Sequence, residues 1–256
     1  MTIYTVNAGD SVASIASSFG VTADSIIYNN QLISPYRLAV GQALLLSAGE
    51  TTPDKRSIYT NGYAYPFINS FNLTETLPYL TNLSVFSYGF TPTGELVPPA
   101  LDDTWMISLA KEAGTAPLLT LTPFGADGMF NNQLISIVVS DMAVQQNLIN
   151  NLLQMVSQKE FEGVDIDFEY IIAEDRVLFA EFVSNVRAAV NEIGYPVSVA
   201  LAPKTSDNQP GLLYGGKDYA LLGAAADNVL LMTYEWGYTY GPPMAVAPIN
   251  KVREVV

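Results

Sequence analysis

The 256-residue chain is 49 % hydrophobic and only 14 % charged, with a formal net charge of −14. That is enough apolar material for a packed core, and the acidic surface repels phosphate backbones and anionic lipids, so neither nucleic acid nor a membrane surface is an expected partner. With no histidine and no cysteine, imidazole bases, Ser-His-Asp triads, thiolate nucleophiles, disulfides and the usual zinc sites are excluded, leaving acid–base chemistry to Asp, Glu, Tyr or Lys.

The N-terminus has neither the basic start nor the apolar run of a signal peptide, and no later stretch reaches the roughly 18 to 20 apolar residues of a membrane span. Export by the usual signal route is therefore not expected. Residues 1–48 form a self-contained pattern. Ile3-Tyr4-Thr5-Val6 alternates like a strand, and Gly9-Asp10-Ser11 turns into a helix carrying Val12, Ile15, Ala16 and Phe19, which Gly20 ends. Thr22 or Asp24 can cap a second helix that stops near Asn29-Asn30, and residues 40–46 read as a turn and a closing strand. The order is βααβ.

These residues resemble the LysM family: Tyr4, Val6, Gly9-Asp10-Ser11, Ile15-Ala16, Phe19, Val21, Ile26, Asn30, Leu32, Leu38 and Gly41-Gln42 fall where that pattern expects them. LysM modules bind chitin or peptidoglycan through N-acetylglucosamine. The resemblance implies a groove lined by the loop at Gly9, Asp10 and Ser11 and by the loop after Asn30, which begins at Gln31. Gly9-Asp10 also serves as a turn and helix cap, since such grooves use backbone groups that turns expose. Residues 49–56 are polar, with Gly49, Pro53 and four charged residues, and read as a linker.

From residue 57 strands and helices alternate. Strands are expected at 58–65, 83–90, 117–122, 163–169, 197–202 and 229–234, and the clearest helices at 101–113, 132–157, 173–192 and 218–225. Six βα units imply an α/β fold with a parallel sheet, either a TIM-type barrel or a doubly wound sheet. No GxGxxG or GxxxxGK[ST] loop follows any strand, which weakens the nucleotide-binding alternative.

The most informative segment is residues 161–170. Strand side chains alternate faces, so Asp165, Asp167 and Glu169 point one way and Val164, Ile166 and Phe168 the other. Successive acids lie roughly 7 Å apart at a rise of about 3.3 Å per residue. A solvated face would be the bland explanation, but both faces of a central parallel strand are covered. Nor can this spacing chelate one ion without further ligands, so no metal and no cofactor is expected. Like charges in a low-dielectric barrel do not all ionise cheaply, so at least one carboxyl should keep its proton near neutral pH. No basic residue lies nearby in sequence.

This strand resembles that of the family-18 glycoside hydrolases, D-G-x-D-x-D-x-E. Gly163, Asp165, Asp167 and Glu169 match, with Glu162 for the first acid. Met232-Thr233-Tyr234-Glu235 resembles the family's sixth strand, M-x-Y-D, again with Glu for Asp. Residues 232–238 with Pro242-Pro243 are closer still to the LysM-bearing spore cortex-lytic N-acetylglucosaminidases of spore-forming bacteria, which are made without a signal peptide. The resemblance implies a TIM-type barrel at 57–256 that hydrolyses β-1,4 bonds next to N-acetylglucosamine, with Glu169 as acid, Asp167 orienting the substrate's acetamido group, Asp165 behind it, and Tyr234 donating to the acetamido oxygen.

Aromatic residues collect at the expected strand ends: Tyr63, Tyr65, Tyr88, Phe90, Phe124, Tyr170, Tyr234, Trp236, Tyr238 and Tyr240. Of these, Tyr63, Tyr88 and Trp236, with Glu235, are taken as substrate-binding. The expected partner is a glycan containing N-acetylglucosamine, with no obligate protein partner. The expected setting is the spore coat or cortex surface, otherwise the cytoplasm. A chitinase, a non-catalytic glycan-binding protein and a spore-coat component are the competing functions. The ending at residues 249–256 reads as the opening of a helix, which leads us to expect a barrel truncated after six strands, poorly stable and weakly active or inactive.

Overall fold

A computed structural model of the chain describes residues 2–47, 57–125, 128–237 and 239–256. These divide into two compact units, residues 1–58 and 59–256. The expected linker lies outside the described residues, apart from the boundary to the second unit.

In the first unit, β1 (Thr2–Thr5) pairs antiparallel with β2 (Ala43–Leu46), and α1 (Val12–Phe19) and α2 (Ala23–Asn29) lie between them in sequence. Local chemistry sets the helix ends. Ser11 caps α1 in a reciprocal box with Ser14, Gly20 closes it in the left-handed region, and the Thr22 side chain caps α2. Asn30 ties helix to strand: its Nδ2 donates to the carbonyls of Ile26 and Leu45, and its Oδ1 accepts the Leu45 N–H at 2.7 Å. Val6, Val12, Ile15, Ala16, Ile26, Leu44 and Leu46 form the core.

The second unit runs β3 (Asn61–Ala64), α3 (Ser70–Thr76), β4 (Asn82–Phe90), the short β5 (Leu96–Val97), α4 (Thr104–Glu112), β6 (Ala116–Leu121), α5 (Gln133–Ser140), α6 (Met142–Lys159), β7 (Val164–Ile166), α7 (Arg176–Glu192), β8 (Val197–Leu201), α8 (Tyr219–Ala225), β9 (Asn228–Leu231) and α9 (Ile249–Val255). The parallel strands are ordered β3-β4-β6-β7-β8-β9, with β5 folded antiparallel onto β4. They follow chain order without the reversal that defines a doubly wound sheet, so this is the wall of a TIM-type (β/α) barrel.

Two expected elements differ. The long helix at 132–157 is two helices, broken where Asp141 adopts an extended conformation (φ −109°) and uses its carboxylate to cap α6 through the Ala143 and Val144 N–H groups. α3, between the first two barrel strands, lay outside the clearest helical patterns, because only Leu73 of its seven residues is buried.

The outer face of the wall is a dry layer against the helices. Val164, Ile166 and Phe168 are all fully buried. The Phe168 ring stacks on Phe90, Phe179 and Phe182, with centroids 5.5, 5.7 and 5.6 Å away. Their burial fixes the opposite parity of the acids on the same segment. Gly163 is required by close approach: a Cβ there would meet Leu118 Cδ2 at 2.7 Å and the Pro196 carbonyl at 2.9 Å.

Candidate active site

The regular ladder of β7 ends at Ile166, but the chain continues extended, with the Asp167 N–H bonded to the Leu121 carbonyl at 2.9 Å. It breaks at Tyr170, whose φ of +55° turns it into the following loop. The three acids therefore step from the barrel interior to the mouth. Asp165 is 1 % exposed, while Asp167 and Glu169 are half-buried.

Asp165 is locked from both sides. The Tyr63 hydroxyl, from β3, donates to its Oδ2 at 2.7 Å, and Ser198, paired opposite it on β8, donates to Oδ1. Tyr63, expected to bind substrate, thus holds a carboxylate instead, and burial beside Asp165 pushes its own pKa up so that it stays a donor. Burial also raises the Asp165 pKa, opposed by these two hydrogen bonds.

Asp167 Oδ1 is buried and has no hydrogen-bond partner among the described residues. Burial, and then repulsion from Asp165 and Glu169, push this carboxyl up to about 7, against the pull of the Lys217 ammonium. Tyr234 is raised as well, first by burial and then by the negative charge around it.

Glu169, Tyr234, Glu235 and Trp236 line one cleft of about 600 Å³, together with residues of the loop after β8. Four of the expected site residues therefore share a cavity at the C-terminal ends of the strands, the face where barrel enzymes work. The Trp236 indole Nε1 in this wall is buried and has no hydrogen-bond partner among the described residues.

Tyr88 is a correction. It is fully buried on the outer face, where its hydroxyl donates to Asp103 at 2.6 Å and its ring meets Phe161 edge-on, so it is not available to a substrate. The register explains this. β4 pairs with β6 at a constant offset from Asn82 to Val85, then gains one residue before Tyr88 pairs with Leu121. One extra residue exchanges the two faces of a strand, so Tyr88 and Phe90 turn outward with Leu83 and Val85. The aromatic ring that reaches the mouth from this strand is Phe86, between Tyr63, Tyr65 and Phe124. Tyr238 lies outside the described residues.

Two further groups escaped sequence reasoning. Ser198 had a signal, being a polar residue alternating with valines on β8. Lys217, 1 % exposed, had none, since it comes from the loop 50 residues beyond the acids.

In the first unit Asp10 and Ser11 are engaged internally. Asp10 accepts the Tyr4 hydroxyl and the Asn7 N–H, both at 2.7 Å, and Ser11 caps α1. Gly9 holds φ +91°, and Gln31, exposed at φ +50°, opens the second loop, where Ile33 is 85 % exposed.

A stability prediction follows from the raised carboxyls. Asp167 binds its proton more tightly folded than unfolded, so the stability it contributes is complete below about pH 4 and is lost as pH rises through about 7. Asp167→Asn should flatten that decline. Both tryptophans, Trp105 and Trp236, lie in the second unit, so denaturation followed by tryptophan fluorescence at several pH values reads this unit alone. An unchanged slope would show that Asp167 titrates as an ordinary carboxylate.

Comparison with known proteins agrees with this geometry. Residues 119–251 match the Glycosyl hydrolases family 18, and residues 4–47 match the LysM domain. A cortical fragment-lytic enzyme of Bacillus subtilis is 36 % identical, the alignment covering 100 % of this chain and 70 % of that protein. One from Bacillus anthracis is 33 % identical over 99 % of this chain and 70 % of its own length. The crystal structure of the Bacillus cereus spore cortex-lytic enzyme SleL superimposes with a TM-score of 0.84 at 30 % identity, covering 99 % of this chain and 70 % of that one. A chitinase from Chromobacterium violaceum, 21 % identical with a TM-score of 0.69 over 77 % of this chain and 63 % of its own, shares the fold. The row of acids, the mouth cleft and these matches together make the chain a glycosidase that belongs to the family 18 glycosyl hydrolases and carries an N-terminal LysM domain.

Proposed function

We propose that this protein hydrolyses β-1,4 bonds next to N-acetylglucosamine in peptidoglycan, spore cortex in particular, by a substrate-assisted retaining mechanism. The observation that carries the reading is the state of Asp167: an inward carboxyl pushed up to about 7, with one buried oxygen lacking a partner. A carboxyl that holds its proton near neutrality is a poor nucleophile. The nucleophile is then the substrate's acetamido oxygen, which attacks the anomeric carbon as Glu169 protonates the departing glycosidic oxygen. Asp167, sharing its proton with Asp165 behind it, accepts the acetamido N–H through Oδ1 and stabilises the charge of the oxazolinium ion, while Tyr63 and Ser198 hold Asp165. Tyr234 donates to the acetamido oxygen. Glu169 then takes a proton from the water that opens the ring, regenerating the acid.

The choice of peptidoglycan rests on the cortical fragment-lytic relatives, which also support a spore-associated role. Mass spectrometry of products from spore cortex fragments beside chitin oligomers tests it. N-acetylglucosamine at the new reducing ends is expected, and N-acetylmuramic acid there would sink the bond assignment. The first anomer seen by proton NMR should be β, and an α product would exclude retention.

The LysM unit acts by retention. Deleting residues 1–48 should weaken binding to insoluble glycan, because tethering raises effective concentration, while turnover of small soluble substrates stays within about twofold. An equal loss on both would mean that the unit supports the barrel itself.

A further inference from the structure

Three carboxyls on one inner face need compensation, since an isolated buried charge costs several kcal/mol or more. The compensating group is a lysine. Lys217 ranks among the largest fully buried side chains of the protein. Its ammonium donates to the Ala200 carbonyl on β8 at 3.3 Å. The β7–β8 register pairs Asp165 with Ser198 and Ile166 with Val199, so one further step brings Ala200 level with Asp167. The ammonium therefore stands beside the row at the height of the carboxyl whose Oδ1 lacks a partner, and its field acts on both Asp167 and Glu169.

The backbone around Lys217 is built to hold it there. A Cβ on Gly216 would fall 2.3 Å from the Ile171 carbonyl, so the loop is pressed against the chain that continues β7. Asp218 caps α8 and is gripped by Arg176 at the start of α7. The Lys217 carbonyl accepts the ammonium of a second buried lysine, Lys204, at 2.8 Å, and that ammonium also lies over the Tyr219 ring. A lysine filling space would not need an anchor on each side.

We propose that Lys217 is a positioning residue of the active site, a buried ammonium that compensates the negative charge of Asp167 and Glu169 from the wall between β8 and α8. The proposal rests on the reading of this row as the reacting group. The titratable groups that act on Lys217 are Asp167 and Glu169, and the row they belong to is also faced by Tyr63 from β3 and by Tyr234 beyond β9. Lys204 is the other cation of the loop. Because only the ammonium opposes the rise of the Asp167 carboxyl, removing it should leave Asp167 protonated over a wider range.

The test is the titration of the full chain by carboxyl carbon-13 NMR, with the Asp167 signal assigned by its loss in Asp167→Asn. Lys217→Met, similar in length and uncharged, should move the Asp167 midpoint upward by about one pH unit or more, the low end of what a nearby opposite charge produces. A folded Lys217→Met protein with an unmoved midpoint overturns the proposal. Should Lys217→Met not fold, the reciprocal arm decides. In Asp167→Asn the Lys217 amine, read at its ε-carbon, should titrate below the about 8 to which burial brings it, and an unmoved amine overturns the proposal. Full turnover by Glu169→Gln would defeat the catalytic reading while leaving this coupling intact, so the two failures are distinguishable.

Discussion

Glu169→Gln will lower turnover on N-acetylglucosaminides by about 100-fold or more, relative to the same protein without the substitution, while folding and glycan binding stay near normal. A positioned general acid contributes typically 10² to 10⁴-fold. The exchange keeps size and shape and removes only the acidic group that, in the proposed mechanism, protonates the leaving oxygen. Glu169 is the outermost acid of the row, half-buried, and lines the mouth cleft with Tyr234. Among the described residues it makes no side-chain hydrogen bond, unlike Asp165, which is locked by Tyr63 and Ser198. Steady-state rates on a chromogenic N-acetylglucosaminide, with circular dichroism as the folding control, settle the matter. Retention of more than about a tenth of the rate would mean that another group protonates the glycosidic oxygen.

The second large effect lies in the substrate. Removing the acetyl group at the cleaved sugar should abolish detectable hydrolysis, because in the proposed mechanism the attacking oxygen belongs to that group. The protein offers no substitute. Burial and its acidic neighbours raise the Asp167 carboxyl to about 7, and Asp165 is 1 % exposed with both oxygens hydrogen-bonded. Paired oligosaccharides, intact and de-N-acetylated at one sugar, compared by product analysis would show it. A sugar ester trapped on any Asp or Glu and detected by peptide mass would overturn the mechanism.

Much of this was legible in the sequence because it is local. A period of two puts Asp165, Asp167 and Glu169 on one face and Phe168 on the other whatever the neighbours are, and the burial of Phe168 among Phe90, Phe179 and Phe182 bears this out. The caps at Ser11, Gly20 and Thr22 are contacts within a few residues, so the βααβ order could be read directly. Winding was open between barrel and doubly wound sheet, and the motifs of β7 and the segment beyond β9 decided it by resemblance before the strand order did.

What the tertiary structure alone decided are relations between distant segments. Tyr88 belongs to the outer face because β4 carries one residue more than β6 across the same span, a property of the pairing and of neither strand. Tyr63 meets Asp165 across 102 positions, and the Lys217 ammonium reaches the Ala200 carbonyl on β8 across 17. Alternation and capping are set by backbone geometry within a turn or a strand, so they are written in the order of residues. Which charge faces which across a barrel wall depends on register and loop path, and those are settled only when the whole wall packs.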